Sequence, residues 1–418
     1  MSDDLQPQQK RAIDWAEVHA KGWIAMEQGL GKSRVALEVL DVPALAVVPA
    51  FLRSNWAVEA AKWRPDLAVH CVDRQSGFKR GIDLYVMSYD HASMLVPPVG
   101  LQTLILDEAR FAKSPKTDRT KRCQHLAKKI ARVMLLDGTP MPNRPAELWA
   151  MMFAIGATQL SYRDWGFRYC AGRIGQWGGY DFRGSSNLEE LKALWEKWSF
   201  RCTKEEVGGL PEKSRRLVVI DGTPSVREAH FDLSSIKRNP NPTAFVGLAE
   251  VLHAHGERKT PNASAYIHSL VPSCGPILVT ARHKIVIEQI FRDLTKLKHR
   301  VAKITGETPF DQRDGIVKKF NSGELDVLIG NTRSIGAGLT LTGGHYGVSV
   351  EAEWSYGANQ QVEDRLHRIG QTKHVQWDYL VVDKSIDYQI VKSILKKENT
   401  IESLMDDTFR ESLSELGI

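Results

Sequence analysis

The chain alternates short apolar, β-branched runs with longer stretches in which apolar residues recur every three or four positions. That rhythm predicts strands and helices in turn, the signature of parallel sheets built from βαβ units. In the first half it predicts strands at Trp23–Met26, Ala44–Val48, Leu84–Met87, Thr103–Leu106 and Val133–Leu136, with a helix over Arg34–Leu40. A second series of strands begins late, at Ile277–Thr280, Val301–Ile304, Val327–Ile329, Gly347–Val350 and Trp377–Val382. Helical stretches such as Ile285–Leu294 and Asp311–Phe320 separate them. Between the two series the pattern changes. Residues 145–215 are rich in Trp, Gly and Arg and read as helices joined by loops, and residues 236–275 carry Pro, Asn and Ser around a helical stretch near Phe245–His255. The expected organisation is an α/β domain over 1–150, a helical and loop insertion over 151–218, and the start of a second lobe with a short helical insertion over 219–275. A second α/β domain over 276–398 and a C-terminal helical tail over 399–418 follow.

Composition narrows the class. A chain of 418 residues is too long for one ordinary core. With 42% hydrophobic and 25% charged residues it reads as a soluble globular protein, and a net charge of +6 suits a polyanionic partner. Cys71, Cys123, Cys170, Cys202 and Cys274 are scattered without a CxxC pair, which argues against a zinc site or disulfide framework and for a reducing compartment. The first residues are acidic then polar, unlike a secretory signal, and the longest apolar run, Ala44–Leu52, contains a proline and is too short to span a bilayer. A cytoplasmic location, or a nuclear one in a eukaryote, is expected, with no membrane partner.

The candidate chemistry sits at the carboxyl ends of predicted strands, where open α/β sheets bind ligands. Gln28-Gly29-Leu30-Gly31-Lys32-Ser33 follows one strand and precedes a helix, the context of a phosphate loop. Gly29, Leu30 and Gly31 would bring backbone amides to phosphates, Lys32 would reach the terminal phosphates, and Ser33 would hold Mg²⁺. The strict pattern fails at Met26, which stands where the first glycine belongs. Alone, the segment is a modest signal, and a plain helix-capping turn is the alternative. Asp107 and Glu108 follow another strand. An acidic pair in a turn is usually just solvated, but on the same sheet as a phosphate loop it suits metal and water chemistry: Asp107 for Mg²⁺, Glu108 for the attacking water. Far downstream, Arg365 and Arg368 lie three positions apart, close enough to share one face of a helix near its start. Such a pair is either a solvated face or a phosphate sensor, since guanidinium is always charged and binds phosphate bidentately. If the two domains face one another, the arginines complete the site only on closure.

In this order the segments resemble the Swi/Snf-type branch of superfamily-two helicases and translocases, over nearly the whole chain. The resembling stretches are Leu5-Gln6-Pro7-Gln8-Gln9, the phosphate loop, Val48-Pro49 to Asn55-Trp56, Asp107-Glu108-Ala109-Arg110, and Asp137-Gly138-Thr139-Pro140 with Glu147-Leu148-Trp149. Asn331 to Leu341 and Gln361 to Gln371 complete the set, the last ending His-Arg-Ile-Gly-Gln. The middle of the chain, from Arg168-Tyr169-Cys170 through Gly179-Tyr180-Asp181 to Leu191, and later Leu210-Pro211-Glu212-Lys213, resembles the fork-remodelling, annealing-helicase subgroup. The resemblance implies two RecA-like parallel-sheet domains with helical insertions at their junction. It implies ATP and Mg²⁺ as cofactors, Gln9 as adenine reader, and Gly336 and Gln361 at the nucleotide. Lys32, Asp107, Glu108, Arg365 and Arg368 would be the catalytic set. It also implies a DNA partner that is duplex, forked or branched, a monomeric motor, and phosphate contacts from Arg53, Ser88, Tyr89, Thr280, Arg333 and Thr342. Individually each of those six is more readily a surface or structural residue. The basic run Lys113–Arg122 reads either as a solvated loop or as a duplex contact, and Trp165, Trp177 and Tyr180 either as core or as base-stacking residues. The chain reads as close to the bare motor of that subgroup, which would suit a bacterial or viral protein.

Two positions depart from the family. Arg110 stands where it usually has histidine, and Asp137 where it has serine or threonine. A pairing of Arg110 with Asp137 would restore one interaction across both changes. The activity expected is an ATP-dependent DNA translocase that regresses forks, migrates branches or anneals strands. The alternatives are a strand-separating DNA or RNA helicase and an ATP-switched DNA clamp with little turnover.

Overall fold

The computed structural model describes residues 5–138, 144–175, 179–221, 242–336, 339–368 and 370–394. They fall into two compact units, one ending at Gly208 and the other beginning at Gly209. The strands are β1 (Lys21–Met26), β2 (Ala44–Val48), β3 (Val69–Cys71), β4 (Leu84–Ser88), β5 (Thr103–Asp107), β6 (Arg132–Leu136), β7 (Arg173–Ile174), β8 (Tyr180–Asp181) and β9 (Ser199–Cys202) in the first unit. In the second they are β10 (Lys213–Val219), β11 (Ile277–Ala281), β12 (Val301–Ile304), β13 (Val327–Asn331), β14 (Tyr346–Ser349) and β15 (Val375–Val381).

The first unit is built on a parallel sheet of order β3-β4-β2-β5-β6-β1-β9. Its central strands β2, β4 and β5 are buried at every position, as expected of a sheet covered on both faces. The second has a parallel sheet of order β10-β15-β14-β11-β13-β12. The α/β class and the parallel sheets are therefore as expected, and ten strands lie within two residues of their predicted bounds.

Five strands escaped the pattern, two of them the two-residue β7 and β8 of a hairpin. β3 spans three residues, too few to show an alternation. β9 lies within the segment expected to be an insertion, yet it pairs with β1 and forms the edge of the first sheet. β10 carries Lys213, Ser214, Arg215 and Arg216 where a buried strand would be apolar. The insertion expected over 151–218 thus divides between the two sheets. The second deviation is a helix over Pro242–Cys274, 33 residues long, containing Pro261 and Pro272. An interior proline removes a backbone donor and costs about 3 kcal/mol. Here burial of Ala263 and Ile267 in the core, and of Lys259 against Asp387, outweighs the local preference. The tail expected over 399–418 lies outside the described residues.

Close packing of the second unit turns on one glycine. Gly347 on β14 is the register partner of Trp377 on β15, and a Cβ at 347 would lie 2.0 Å from the Trp377 ring. Trp377 is 1% exposed and donates from Nε1 to Ser349 Oγ at 3.1 Å, so the indole cannot step aside. Gly347→Ala is expected to destabilise this unit by about 1–3 kcal/mol, read as a lower midpoint in thermal or denaturant unfolding.

Candidate nucleotide site

β1 runs into a loop in which Gly29 has φ 89° and Gly31 φ 93°, backbone that favours glycine. A helix then starts at Lys32. Gly31 is also a point of contact: a Cβ there would lie 2.1 Å from Nε2 of Gln9, and that amide donates to the Leu30 carbonyl at 3.5 Å. Gln9 is held in place by its own helix, its Oε1 accepting from the Gln6 amide at 2.9 Å. The adenine reader expected from sequence therefore packs on the phosphate loop itself. Lys32 Nζ donates to the loop carbonyls of Met26 at 2.8 Å and Glu27 at 3.2 Å. Burial lowers the pKa of its ammonium, against the pull of Glu108, Asp107 and Asp137. Leu30, expected among the nucleotide ligands, has its side chain in the core and offers only backbone.

The loop is braced by the strand that sequence missed. The Glu27 amide donates to the Cys202 carbonyl at 2.9 Å, and the Lys204 amide donates to Glu27 Oε2 at 3.0 Å.

At the end of β5, Asp107 and Glu108 are 7% and 8% exposed. Trp56 Nε1 donates to Asp107 Oδ2 at 2.8 Å, the Glu108 amide donates to Asp107 Oδ1 at 3.0 Å, and the Tyr89 hydroxyl donates to the Asp107 carbonyl at 2.9 Å. Burial pushes the Asp107 carboxyl up to about 7, the charge of Glu108 adds to the rise, and the Trp56 bond and Lys32 oppose it. Glu108 sits at φ 51°, ψ 53°, left-handed backbone that is uncommon for a residue with a side chain.

Arg110 joins the two strand ends. Its Nη2 meets Glu108 Oε2 at 2.5 Å, its Nη1 lies 3.7 Å from Asp137 Oδ1, and its amide donates to Asp137 Oδ2 at 3.0 Å. Asp137, just past β6, has no exposed surface. The pairing expected across the two departures from the family is present, and it extends to Glu108, which the sequence did not suggest. Thr139 and Pro140 lie outside the described residues.

The donors fit a magnesium nucleotide. Two glycines open the loop backbone, the Lys32 ammonium rests on the loop's own carbonyls, and Ser33 and Asp107 could supply hard oxygen ligands of the kind Mg²⁺ takes alongside phosphates and water. Among the described residues no cluster of three metal-ligating side chains exists, so a site completed by a nucleotide's own oxygens is the arrangement these side chains support.

In the second unit, Gly336, Gln361 and Arg365 come together. A Cβ at Gly336 would lie 3.7 Å from Gln361 Oε1, and Arg365 Nη2 donates to the Gly336 carbonyl at 2.7 Å. The helix, however, spans Tyr356–Leu366. Arg365 is in its last turn, 6% exposed, and Arg368 lies in the bend beyond it, half-buried. The arginines are thus at a helix end rather than a helix start, and they do not share one helical face. The sequence also missed what holds this helix. Glu363 is fully buried and accepts from Lys213 Nζ at 3.0 Å, from Arg215 Nε at 2.9 Å and from the Tyr379 hydroxyl at 2.6 Å. Burial would raise its carboxyl, but the Arg215 and Lys213 charges prevail and hold it at about 2. His367 is fixed as well, its Nε2 2.7 Å from the Pro211 carbonyl.

The expected DNA contacts divide. Ser88, Tyr89 and Thr280 are each 2% exposed. Ser88 Oγ accepts from the His91 amide at 3.2 Å, Tyr89 holds the Asp107 backbone, and Thr280 Oγ1 lies 3.0 Å from Ser349 Oγ. Those three side chains serve the interior because their hydroxyls satisfy buried partners. Arg333 is exposed, and Arg53 and Thr342 are half-buried. In the basic run, Lys113 pairs with Glu147 at 2.6 Å and Arg119 with Asp90 at 3.0 Å. Trp165 is fully buried, and Trp177 lies outside the described residues.

Two domain families match the chain, the SNF2-related domain over residues 6–239 and the helicase conserved C-terminal domain over residues 263–370. The chain belongs to the SNF2-related family and is a nucleic-acid-dependent ATPase of the helicase type. Among curated proteins it is 31% identical over 420 residues to the SWI/SNF-related matrix-associated actin-dependent regulator of chromatin subfamily A-like protein 1 of Xenopus tropicalis, covering 95% of this chain and 44% of that protein. It is 30% identical over 417 residues to the human DNA annealing helicase and endonuclease ZRANB3, covering 92% of this chain and 39% of that protein. It therefore spans less than half the length of either relative. The solved Sulfolobus solfataricus SWI2/SNF2 ATPase core in complex with dsDNA aligns with a TM-score of 0.46 at 21% identity, over 96% of this chain and 92% of that one.

If Arg110 and Asp137 form one unit, Arg110→His and Asp137→Thr will each reduce nucleic-acid-stimulated hydrolysis and the double variant will recover part of the loss, with a coupling of about 0.5–3 kcal/mol. Additive effects, or an unchanged Arg110→His, would remove the pairing from function. Asp107 binds its proton more tightly folded than unfolded, where an aspartate titrates near about 3.9. Its contribution to the nucleotide-free chain is thus fully present below that pH and is lost as pH rises through about 7. Asp107→Asn should flatten this decline and raise the neutral-pH melting point by a few degrees while abolishing hydrolysis.

Proposed function

We propose that this chain is an ATP-driven DNA translocase that remodels branched or forked duplex DNA by regression, branch migration or annealing. The observation that carries the ATPase half is one sheet end that carries half-buried Lys32 after β1 and buried Asp107 and Glu108 after β5, with Trp56 bound to Asp107 and Arg110 to Glu108. The DNA half is supported by the relatives: one is called a DNA annealing helicase, and the chain is alike to it over 92% of its own length. Both named relatives come from animals, which lends a nuclear setting support and a bacterial or viral one none. Among the described residues no helix is long and apolar enough to cross a membrane.

In this reading Gln9 meets the adenine, and the Gly29–Gly31 amides with Lys32 bind the phosphates. Ser33 and Asp107 hold Mg²⁺, which when bound neutralises charge developing on phosphate oxygens. Glu108, on left-handed backbone just past β5, takes the proton of the attacking water. Arg365 and Arg368 stabilise charge in the transition state, where an arginine can be worth about a thousandfold in rate. The bonds from Arg365 to the Gly336 carbonyl and from Lys213 and Arg215 to Glu363 keep that segment in shape. Exposed Arg333 is the foremost remaining phosphate contact, with Arg53 and Thr342 beside it in the assignment. Phosphate contacts give affinity without sequence preference and make binding salt-sensitive.

Lys32→Ala should lower ATP hydrolysis by about a hundredfold or more while the fold and DNA binding persist. Wild-type stimulation compared across single-stranded, duplex, forked and four-way DNA and RNA tests the substrate. Strongest stimulation by forked or four-way DNA is expected. Preference for RNA, or displacement of a simple tailed duplex without fork regression, would point to a conventional helicase. A rate indifferent to every nucleic acid would point to a clamp.

A further inference from the structure

The antiparallel hairpin β7–β8 and the helix Tyr162–Tyr169 carry an aromatic group that the nucleotide chemistry does not use. Ile174 faces Tyr180 across the hairpin, and Phe182, two residues on from Tyr180, projects to the same side. The Tyr180 and Phe182 rings lie parallel, 5.6 Å apart at 3°, and Phe167 meets both edge-on at 5.7 Å. Phe182 is the anchor. It is 7% exposed and lies over Gly166, where a Cβ would come within 2.4 Å of its ring. The residues it supports point outward: Phe167 is 41%, Tyr180 53% and Ile174 73% exposed.

Rings packed on a fixed base with their outer faces in water form a surface that gains by being covered. Three side chains are too few for a stable protein interface, which takes about 20–30 residues a side. They match the face of one nucleobase, which stacks on aromatic rings whatever its sequence. The rim carries two arginines, each beside an acid, Asp164 or Asp181. Arg163 lies one helical turn before Phe167 with its side chain 62% exposed, and its pairing with adjacent Asp164 is 3.8 Å long and exposed, too weak to compete with a phosphate. Arg173 is also exposed on this hairpin.

We propose that Tyr180, flanked by Phe167 and Ile174, is a stacking ledge for an unpaired base of single-stranded DNA, with Arg163 meeting the adjoining phosphate. The inference rests on the DNA reading above and deepens it. Bases inside a duplex already stack on one another and present no free face, so the ledge selects a strand that has left its partner, as at a fork or during annealing.

The test uses the full chain and an oligodeoxynucleotide carrying one 2-aminopurine, whose fluorescence reports stacking directly, as a single strand and in a duplex. Wild type should change the single-strand signal on binding and leave the duplex signal nearly unaltered. Tyr180→Ala should remove that change and weaken single-strand binding by about fivefold or more. Tyr180→Trp should keep both, and duplex-stimulated hydrolysis should stay the same in all three. Phe167→Ala gives an independent second reading of the ledge. Unchanged signal and affinity in Tyr180→Ala overturn the proposal. So does loss of a dimer by sedimentation in that variant, which would make the patch a contact between copies. A wild-type ATPase that ignores all DNA sinks the proposed function instead, and the fluorescence result stands apart from it.

Discussion

The first unit depends on how it neutralises acids that its sheet has taken out of water. Asp107, Glu108 and Asp137 stand at the ends of the neighbouring strands β5 and β6, with Lys32 and Arg110 among them. Buried carboxylates are tolerated only when cations and donors surround them. Arg110 compensates Glu108 and Asp137 together, and Trp56 and the Glu108 amide bind Asp107. Lys32 adds a second cation, and Glu108, Asp107 and Asp137 all act on its ammonium. Of these five groups three are acids and two are bases, and burial together with the charge of Glu108 holds the Asp107 carboxyl up at about 7. That environment suits the magnesium nucleotide proposed for it.

Glu363 in the second unit shows the contrast. Lys213, Arg215 and Tyr379 saturate it, and its carboxyl stays ionised far into acid. Nothing there asks for another ligand. The effect is mechanical: β10, whose charged residues disguise it as a loop in the sequence, is bound to the arginine-bearing helix. One physical rule, compensation of buried charge, thus acts at the candidate nucleotide site of one unit and at a rigid joint in the other.

Much of the fold was legible along the chain because buried parallel strands are nearly continuous apolar runs. Ala44–Val48 and Val301–Ile304 were read to the residue. What failed to read was set by partners distant in sequence. β9 is a strand because β1 offers it an edge. β10 is one because Glu363 and Asp378 neutralise its basic residues. The Pro242–Cys274 helix passes two prolines because the core it covers compensates the lost bonds. Ser88, Tyr89 and Thr280 looked like surface hydroxyls and proved to be interior donors and acceptors.

By itself the sequence determined the class of fold, the strand ends that carry Lys32, Asp107 and Glu108, and the family those segments belong to. Such features depend on local spacing: glycines that admit unusual backbone, acids that follow an apolar strand, a basic residue at a helix start. Tertiary structure alone decided that Trp56 and Tyr89 support Asp107, that Arg110 spans Glu108 and Asp137, and that the helix ends before Arg368. It also decided that Tyr180 faces water while Trp165 does not. Each of those is a contact across many residues or a matter of exposure, and chain order carries no distance or solvent information from which to read it.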